Sequence, residues 1–135
     1  MVAGNEYYLL FRPVSGSNAT LPTNLGQANF SLRDTQVHFV QKDGTALLGS
    51  GQEGWLKVNF GTRQFDTGMT LSHNQATVST QLNASGSIDS QGKFIHNAAG
   101  TKLAGALTLD GQEAGYTFVR DIATGKYVGI TRWVR

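Results

Sequence analysis

The sequence predicts an all-β protein: a closed or nearly closed antiparallel β-barrel of about eight strands in meander order, with additional N-terminal strands. Apolar and polar residues alternate with a period of two along most of the chain, as in strands with one buried face. Turn-forming residues recur about every 8–12 residues. Only 15% of the residues are charged and 17 are glycine, a composition that favours short strands and turns over helices.

The central part of the chain contains three consecutive amphipathic strands. In residues 55–60, every second residue from Leu56 is apolar, which predicts a strand that buries this face. Gly61-Thr62-Arg63 then turns the chain into a strand over residues 64–72, and a third strand is predicted over residues 76–82. Adjacent strands joined by short turns form a meander.

The C-terminal part continues the pattern. Short strands are predicted over residues 93–96, 103–109, 114–118 and 126–134. Asp110-Gly111 predicts a hairpin turn between the second and third of these strands, because both residue types tolerate a positive φ. Together with the central strands, the prediction is seven or eight strands from Gly54 onward.

The N-terminal part is less regular. A strand is predicted over residues 6–12, a hairpin from residues 27–32 and 36–41 around Arg33-Asp34-Thr35, and a flexible segment over residues 48–54. We assign residues 1–52 to strands and loops that pack on the barrel, and residues 53–135 to the barrel itself. The length of 135 residues matches one structural domain. The two ends of the chain suggest a domain taken from a longer protein.

Charge and composition exclude several kinds of partner. The net charge is +2 and the basic residues are scattered, so no concentrated patch for nucleic acid is predicted. No apolar run approaches the roughly 18 residues of a membrane span, so the protein is not expected to cross a membrane. The absence of cysteine excludes disulfides, thiol nucleophiles and zinc–thiolate sites. We expect a monomer.

No motif predicts catalysis, a metal or a cofactor. The glycines of residues 49–54 fit the spacing G-x-G-x-x-G, but a dinucleotide site needs a helix after them, and a strand follows at Trp55. His38, His73 and His96 are far apart in sequence and form no metal-binding pair. No serine elbow and no distinct pair of carboxylates is found. We therefore predict a protein that is not an enzyme, with no catalytic residue, no metal-binding residue and no cofactor.

Three residues are candidates for contact with a partner. Trp55 lies on the face opposite Leu56, so the alternation places it outward, where an aromatic side chain supplies a large contact area. Core packing at a barrel mouth is the alternative for Trp55. Lys57 shares its face. Glu113 begins a strand, and its alternative role is a carboxylate that binds loop amides or an arginine.

The stretch from Gly54 to Trp133 resembles the eight-stranded β-barrel of transferrin-binding-protein-B-like proteins of bacterial surfaces. The segments that carry the resemblance are Val58-Asn59-Phe60-Gly61, Gly86-Ser87-Ile88, Gly92-Lys93-Phe94, residues 103–107 with 110–116, and residues 125–130. Residues 7–10, 21–23 and 26–32 are similar to the region that precedes such a barrel in FecR-like envelope proteins of proteobacteria.

The resemblance implies an exported protein in the periplasm or at the cell surface of a Gram-negative bacterium. It implies no catalytic residues, because the barrels of this family have none. The resemblance does not imply that this protein binds transferrin, since the lipobox cysteine and the long handle domain of the true transferrin-binding proteins are not found in this sequence.

We therefore expect a non-enzymatic β-barrel module of a larger exported protein, which binds an unknown protein or cell-surface partner. The alternative is a lipocalin-like carrier of a small apolar ligand. The two hypotheses differ in the lumen, because small barrels are filled by their own side chains unless a cavity is left. The bulky residues predicted to fill it are Phe60, Phe65, Met69, Leu71, Leu82, Phe94, Leu107, Tyr116 and Phe118.

Overall fold

The computed structural model of the protein describes residues 21–75, 78–98 and 100–135. These residues form eight β-strands. The strands are β1 Gln27–Gln41, β2 Ala46–Asn59, β3 Gln64–His73, β4 Thr80–Ser87, β5 Lys93–Ala98, β6 Thr101–Leu107, β7 Glu113–Ile122 and β8 Gly125–Val134. The predicted fold class, an all-β antiparallel meander in a nearly closed barrel, is confirmed. The strand predicted over residues 6–12 lies outside the described residues.

β1 lies in the middle of the sheet and joins its two halves, because it pairs both with its neighbour β2 and with the last strand, β8. The order of strands in the sheet is β4-β3-β2-β1-β8-β7-β6-β5, and the strands of each pair are antiparallel. The two outermost strands in this order, β4 and β5, meet at an isolated bridge between Ile88 and Phe94. We call the junction of β4 and β5 the seam.

Two side chains span the seam. Nδ1 of His96 donates to the carbonyl oxygen of Ser85 over 2.9 Å, and Nε of Arg120 donates to the carbonyl oxygen of Gln81 over 3.2 Å. These bonds satisfy carbonyl groups on the edge of β4 that would otherwise bind an adjacent strand. The barrel is therefore held together at the seam by side chains instead of a full ladder.

β1 is one continuous strand where the sequence predicted a hairpin. Its pairing with β8 shifts register between Leu32 and Asp34, which marks a β-bulge. Phe30 is buried before the bulge and Val37 after it, so the inward face changes from even to odd residue numbers. The hairpin predicted around residues 33–35 was wrong, because a bulge interrupts the alternation of apolar residues in the same way as a turn.

β2 includes residues 48–54, for which a flexible segment was predicted. Its glycines lie where the interior is crowded: a Cβ at Gly51 would lie 2.6 Å from Sδ of Met69, and one at Gly54 would lie 3.0 Å from Cη2 of Trp133. The prediction was wrong because these glycines make room for large side chains opposite them and form no turn.

Barrel strands therefore begin earlier in the chain than Gly54, at Gln27. The tight turn predicted at Gly61-Thr62-Arg63 is present, with a φ of 54° at Arg63. The third central strand starts later than the predicted residue 76, because β4 begins at Thr80. Val78 precedes β4 and is 77% exposed.

The lumen is filled by protein side chains. All of the bulky residues predicted to point inward are buried, and they pack with Leu56, Val58 and Trp133. Phe60 and Met69 are 0% and 1% exposed. Side chains around a ligand-sized cavity would keep accessible surface, so these values indicate close packing at the centre.

Polar groups in the core bind one another. The hydroxyl of Tyr116 lies 3.0 Å from Oγ1 of Thr67, which donates to the carbonyl oxygen of Trp55. Nε1 of Trp133 donates to Oγ1 of Thr131 over 2.8 Å, and Thr131 donates to the carbonyl oxygen of Tyr116. Burial raises the pKa of Tyr116 far above its ordinary value, so the hydroxyl stays protonated as a donor. The network fixes Tyr116 and Trp133 at the centre of the barrel.

Asp110-Gly111 forms the predicted tight turn between β6 and β7, with a φ of 72° at Gly111. Oδ1 of Asp110 accepts a hydrogen bond from the hydroxyl of Thr108 over 2.6 Å and one from the amide of Gln112 over 3.0 Å. These bonds, that of Thr108 first, hold the pKa of Asp110 below its ordinary value.

We expect Gly111→Val to lower the free energy of unfolding by about 1–3 kcal/mol, measured by urea denaturation. A β-branched residue is disfavoured at positive φ, and a Cβ at Gly111 would lie 2.7 Å from Cδ1 of Leu25. Gly44→Val is the control, because Gly44 has a φ of 91° and its added Cβ would meet nothing within 4 Å. Equal losses in the two variants would contradict the contribution of the contact with Leu25.

Candidate functional site

The two mouths of the barrel differ. At one of them, residues 21–26 lie across the β2–β3, β4–β5 and β6–β7 turns. The amide of Leu21 donates a hydrogen bond to the carbonyl oxygen of Ser90, and the amide of Phe60 donates one to the carbonyl oxygen of Gly26. Leu21 is buried. We call this end the capped mouth, because the chain itself covers it.

The opposite end, which we call the open mouth, is formed in the described residues by the β1–β2 and β7–β8 connections and by Gln75 and Val78 between β3 and β4. It holds a cavity of about 570 Å³. Side chains that line it include Phe39, Gln41, His73, Thr80, Ile122 and Tyr127. The volume lies within the range of about 300–1,000 Å³ that small-molecule sites occupy.

Aromatic rings form the floor of the open mouth. The imidazole of His73 stacks on Phe39, with ring centroids 4.3 Å apart and an angle of 13° between the planes. Tyr127 lies directly opposite Phe39 in the β1–β8 ladder, and its ring centroid is 4.8 Å from that of Phe39. Phe39 and Tyr127 are buried, whereas His73 is half-buried. The accessible part of this cluster is therefore the imidazole.

Hydrogen bonds orient the polar atoms of this cluster. Nδ1 of His73 accepts from the amide of Gln75 over 3.2 Å, so Nε2 carries the proton of the neutral ring and is a donor. Burial raises the pKa of Tyr127, whose hydroxyl bonds to the side chain of Thr80. The lining also includes one basic and one acidic residue, Lys42 and Asp43, so its formal charges sum to zero.

Trp55 is 36% exposed, in agreement with the prediction that it points outward. Its ring lies over Gly68, opposite it on β3, where a Cβ would be 3.0 Å from Cε2 of the indole. Nζ of Lys57 lies 5.6 Å from the ring centroid, within the range of a cation–π interaction. The next position in this row, on β4, is the polar Asn83. Trp55 and Lys57 therefore lie together on a largely polar part of the outer wall.

Glu113 contacts Arg132 on the neighbouring strand β8. Its Oε1 accepts from Nη2 of Arg132 over 2.8 Å and from Nε over 3.2 Å. Nη1 of Arg132 lies 3.7 Å from Oδ2 of Asp34 on β1. These contacts fit the structural alternative for Glu113, a carboxylate at a strand end that binds an arginine.

The structure also brings together apolar side chains that the sequence reasoning did not single out. In one row of the outer wall, Ile130, Thr117, Ala104 and Ile95 lie directly opposite one another on β8, β7, β6 and β5. The adjacent row crosses β2, β1, β8, β7 and β6 in that order. Its residues, each directly opposite the next, are Leu48, His38, Val128, Val119 and Lys102. We call the residues of these two rows the outer stripe.

The outer stripe is apolar at both ends and in the middle. Leu48 at one end is 68% exposed and Ile95 at the other is 72% exposed, while Val128 and Ile130 between them are half-buried. Two grooves of about 280 Å³ each run along it, on either side of Thr117. It crosses six of the eight described strands, which corresponds to about 24 Å measured along the curved wall at the usual strand spacing of about 4.8 Å.

A sequence signal for the outer stripe exists in β8. This strand carries apolar residues on both faces: Tyr127 and Trp133 are buried inside, while Val128 and Ile130 face outward. A strand with one face in water normally carries polar residues there. The sequence reasoning missed the signal because it used the alternation to find core residues and did not examine the opposite face.

The described residues contain no group of three or more His, Asp and Glu side chains placed to hold a metal ion. The three histidines lie in different places: His38 on the outer stripe, His73 at the open mouth and His96 at the seam. Within the same residues, no helix has the length and apolar character needed to cross a membrane.

No protein-family model matches the sequence, and no curated protein is significantly similar to it. The fold and its surfaces therefore define the class of protein. The part of the chain that the structure describes is an eight-stranded, nearly closed antiparallel β-barrel with a filled lumen, a capped mouth, an open mouth with a ligand-sized cavity, and an apolar stripe on its outer wall.

Proposed function

We propose that this domain is a non-enzymatic interaction module that binds a protein partner through the outer stripe. The observation that carries the proposal is that five exposed or half-buried apolar residues lie in the two rows of the outer stripe, on four of its six strands: Leu48, Val128, Ile130, Val119 and Ile95. None of these side chains is buried. Exposed apolar residues are common singly, but a contiguous patch marks an interaction site.

Folding of the barrel does not require these residues to be apolar. They point away from the lumen, which is already filled by other side chains. A polar residue at Leu48 or Ile95 would lose little core packing, because both are more than two-thirds exposed. Binding of a partner would explain why these positions are apolar, since burying apolar surface in a complex contributes about 25 cal/mol per Å² to the free energy of binding.

Basic residues border the outer stripe and indicate the chemistry of the partner. Lys93 lies two residues from Ile95 on β5, and Lys102 lies within the stripe. Lys126 lies two residues from Val128 on β8, although Asp121 is opposite it. We therefore propose a partner whose apolar surface is bordered by carboxylates. Such charge complementarity raises the association rate and fixes orientation.

The resemblance to transferrin-binding-protein-B-like and FecR-like barrels supports a location in the envelope of a Gram-negative bacterium, as part of a larger exported protein. A monomeric module with a free outer wall is consistent with that setting. The filled lumen favours this proposal over a lipocalin-like carrier, which needs space inside the barrel.

Trp55 defines a second candidate surface for the same function. Its side chain is larger than any of the apolar side chains in the outer stripe, and Nζ of Lys57 lies over its ring. Tryptophan is enriched among the residues that dominate interface energies. Its neighbours on the outer wall are less apolar than those of the outer stripe, so we place it second.

The proposal is tested with the double variant Leu48→Glu/Ile95→Glu. The immobilised domain is used to capture proteins from an envelope extract of the bacterium that encodes it, and the captured protein is then purified and titrated. We expect the double variant to bind the partner at least about tenfold more weakly, a loss of about 1.4 kcal/mol. Circular dichroism and urea denaturation verify that the variant is folded.

Val78→Glu is the matched control, because Val78 is 77% exposed and lies outside the outer stripe. It is expected to bind as the unchanged domain does. Unchanged affinity in the double variant would refute the outer stripe as the binding surface. If Trp55→Ala alone weakened binding, the second candidate surface would replace it. Binding of the domain to anionic lipid vesicles, with no protein captured, would replace the protein partner with a membrane surface.

A further inference from the structure

We infer that the open mouth is a binding site for a small, planar, uncharged aromatic molecule that carries a hydrogen-bond acceptor. This site shares no residue with the outer stripe, and it would serve a function beyond partner binding. The inference rests on the cavity, on the stacked rings at its floor, and on one oriented donor.

Within the described residues, the two ends of the barrel differ in shape. Residues 21–26 cover the capped mouth, whereas the open mouth retains about 570 Å³. The barrel below it is closed by the packed lumen, so a ligand entering from this end would stop at the floor of the cavity. The open mouth is therefore a shallow site with a defined floor, distinct from the interior site of a carrier.

The floor selects a planar ring. One face of the His73 imidazole is covered by Phe39, with ring centroids 4.3 Å apart. We place the ligand on the opposite face, because His73 keeps accessible surface and lines the cavity. An aromatic ligand on that face would extend the existing stack by one ring. Offset-stacked aromatic pairs contribute beyond the burial of their area, and a saturated ring would not gain this contribution.

The polar atoms select an uncharged ligand with an acceptor. Nδ1 of His73 is occupied by the amide of Gln75, which leaves the Nε2 hydrogen as a donor at the ring edge. Gln41 and Thr80 supply further hydrogen-bonding groups in the same cavity. The cavity is lined by one residue of each charge, Lys42 and Asp43, so its lining has no net formal charge that would favour an anion or a cation.

The test uses four small probes with the purified domain. Benzamide is planar, uncharged and carries a carbonyl acceptor. Cyclohexanecarboxamide keeps the amide without the planar ring, while benzoate and benzamidine keep the ring with a negative or a positive charge. Binding is followed by shifts of the assigned backbone amide signals in ¹H–¹⁵N NMR spectra. We expect benzamide to bind with a dissociation constant of about a few millimolar or lower. The amides of His73, Thr80 and Thr124 are expected to shift.

The other three probes are expected to bind at least about fivefold more weakly than benzamide. His73→Leu removes the planar ring and the donor together, and is expected to weaken benzamide binding at least about tenfold. His73→Phe keeps a planar ring without the donor and is expected to lose less. His38→Leu, the same substitution on the outer wall, is the control and is expected to bind benzamide normally.

Three results with benzamide would overturn the inference. They are the absence of shifts at about 10 mM benzamide, shifts confined to residues outside the open mouth, or equal binding by His73→Leu and the unchanged domain. Binding of cyclohexanecarboxamide as tightly as benzamide would refute the preference of the site for a planar ring. None of these results bears on the outer stripe, whose variants are tested with a protein partner.

Discussion

Replacing Trp133 by alanine is expected to lower the free energy of unfolding by about 3–5 kcal/mol, among the largest losses from any single substitution in this barrel. Trp133 is fully buried, and its ring stacks on Tyr116 with centroids 5.7 Å apart. Its Nε1 donates to Oγ1 of Thr131, and its Cη2 fills the space over Gly54. The alanine variant loses this packing, leaves a cavity at the centre of the barrel, and removes the donor that Thr131 binds.

Urea denaturation at neutral pH measures the loss, as a lower transition midpoint at an unchanged slope. Trp55→Ala is the control, because it removes the same side chain from the outer wall, where it is 36% exposed. We expect Trp55→Ala to cost less than about 1 kcal/mol. A loss below about 1 kcal/mol for Trp133→Ala would show that the centre of the barrel is not packed around this ring.

Gly105→Ala is expected to lower the free energy of unfolding by about 3 kcal/mol, although it adds only one methyl group. A Cβ at Gly105 would lie 2.5 Å from the carbonyl oxygen of Gly115 and 2.6 Å from Cζ of Phe94 and Cβ of Tyr116. The carbonyl oxygen belongs to the backbone of β7 and cannot rotate aside. The strand pair β6–β7 must therefore separate, and this separation also disturbs the ring of Tyr116 in the core.

Thermal and urea unfolding of Gly105→Ala are compared with those of Gly61→Ala. Gly61 lies in the exposed β2–β3 turn, and the nearest atom to its added Cβ is Oδ1 of Asn59 at 3.4 Å. This control is expected to change stability by less than about 0.5 kcal/mol. If both variants were equally stable, close approach of the strands would not be the reason for glycine at position 105.

The two stability variants and the two binding tests act on different parts of the molecule. Trp133 and Gly105 face the packed interior, whereas Leu48, Ile95 and His73 keep exposed surface. Substitutions at Leu48 and Ile95 therefore leave the core intact, and a loss of binding in them reports on the surface itself. His73 also stacks on the buried ring of Phe39, so urea denaturation is used to verify that its variants are folded.

Alternation of apolar and polar residues in the sequence is sufficient to predict the fold class and most of the core. Leu56, Val58 and Phe60 illustrate the reason: side chains two residues apart in a strand share a face, and the apolar face must leave water. The turn at Asp110-Gly111 was also predictable from the sequence, because few residues other than glycine accept the positive φ that the turn requires. The outward position of Trp55 follows from the same alternation.

Two local errors have a common physical cause. The break in alternation at residues 33–35 suggested a hairpin turn and the glycines of residues 49–54 suggested a flexible segment, but both stretches lie inside long strands. A β-bulge and a turn interrupt the alternation alike, and a glycine serves equally well in a turn or beneath a large side chain. The choice depends on the strand that lies opposite, which the local sequence does not identify.

The candidate sites were decided by the tertiary structure. Leu48 and Ile95 are 47 positions apart in sequence, and only the β2–β1–β8–β7–β6–β5 pairing places them at the two ends of one stripe. In the same way, Phe39, His73 and Tyr127 come from three strands that meet at the open mouth. Sequence alone determined which residues avoid water, because that preference belongs to each side chain and its immediate neighbours. The surfaces available for binding depend on strand register, which is set by contacts between distant parts of the chain.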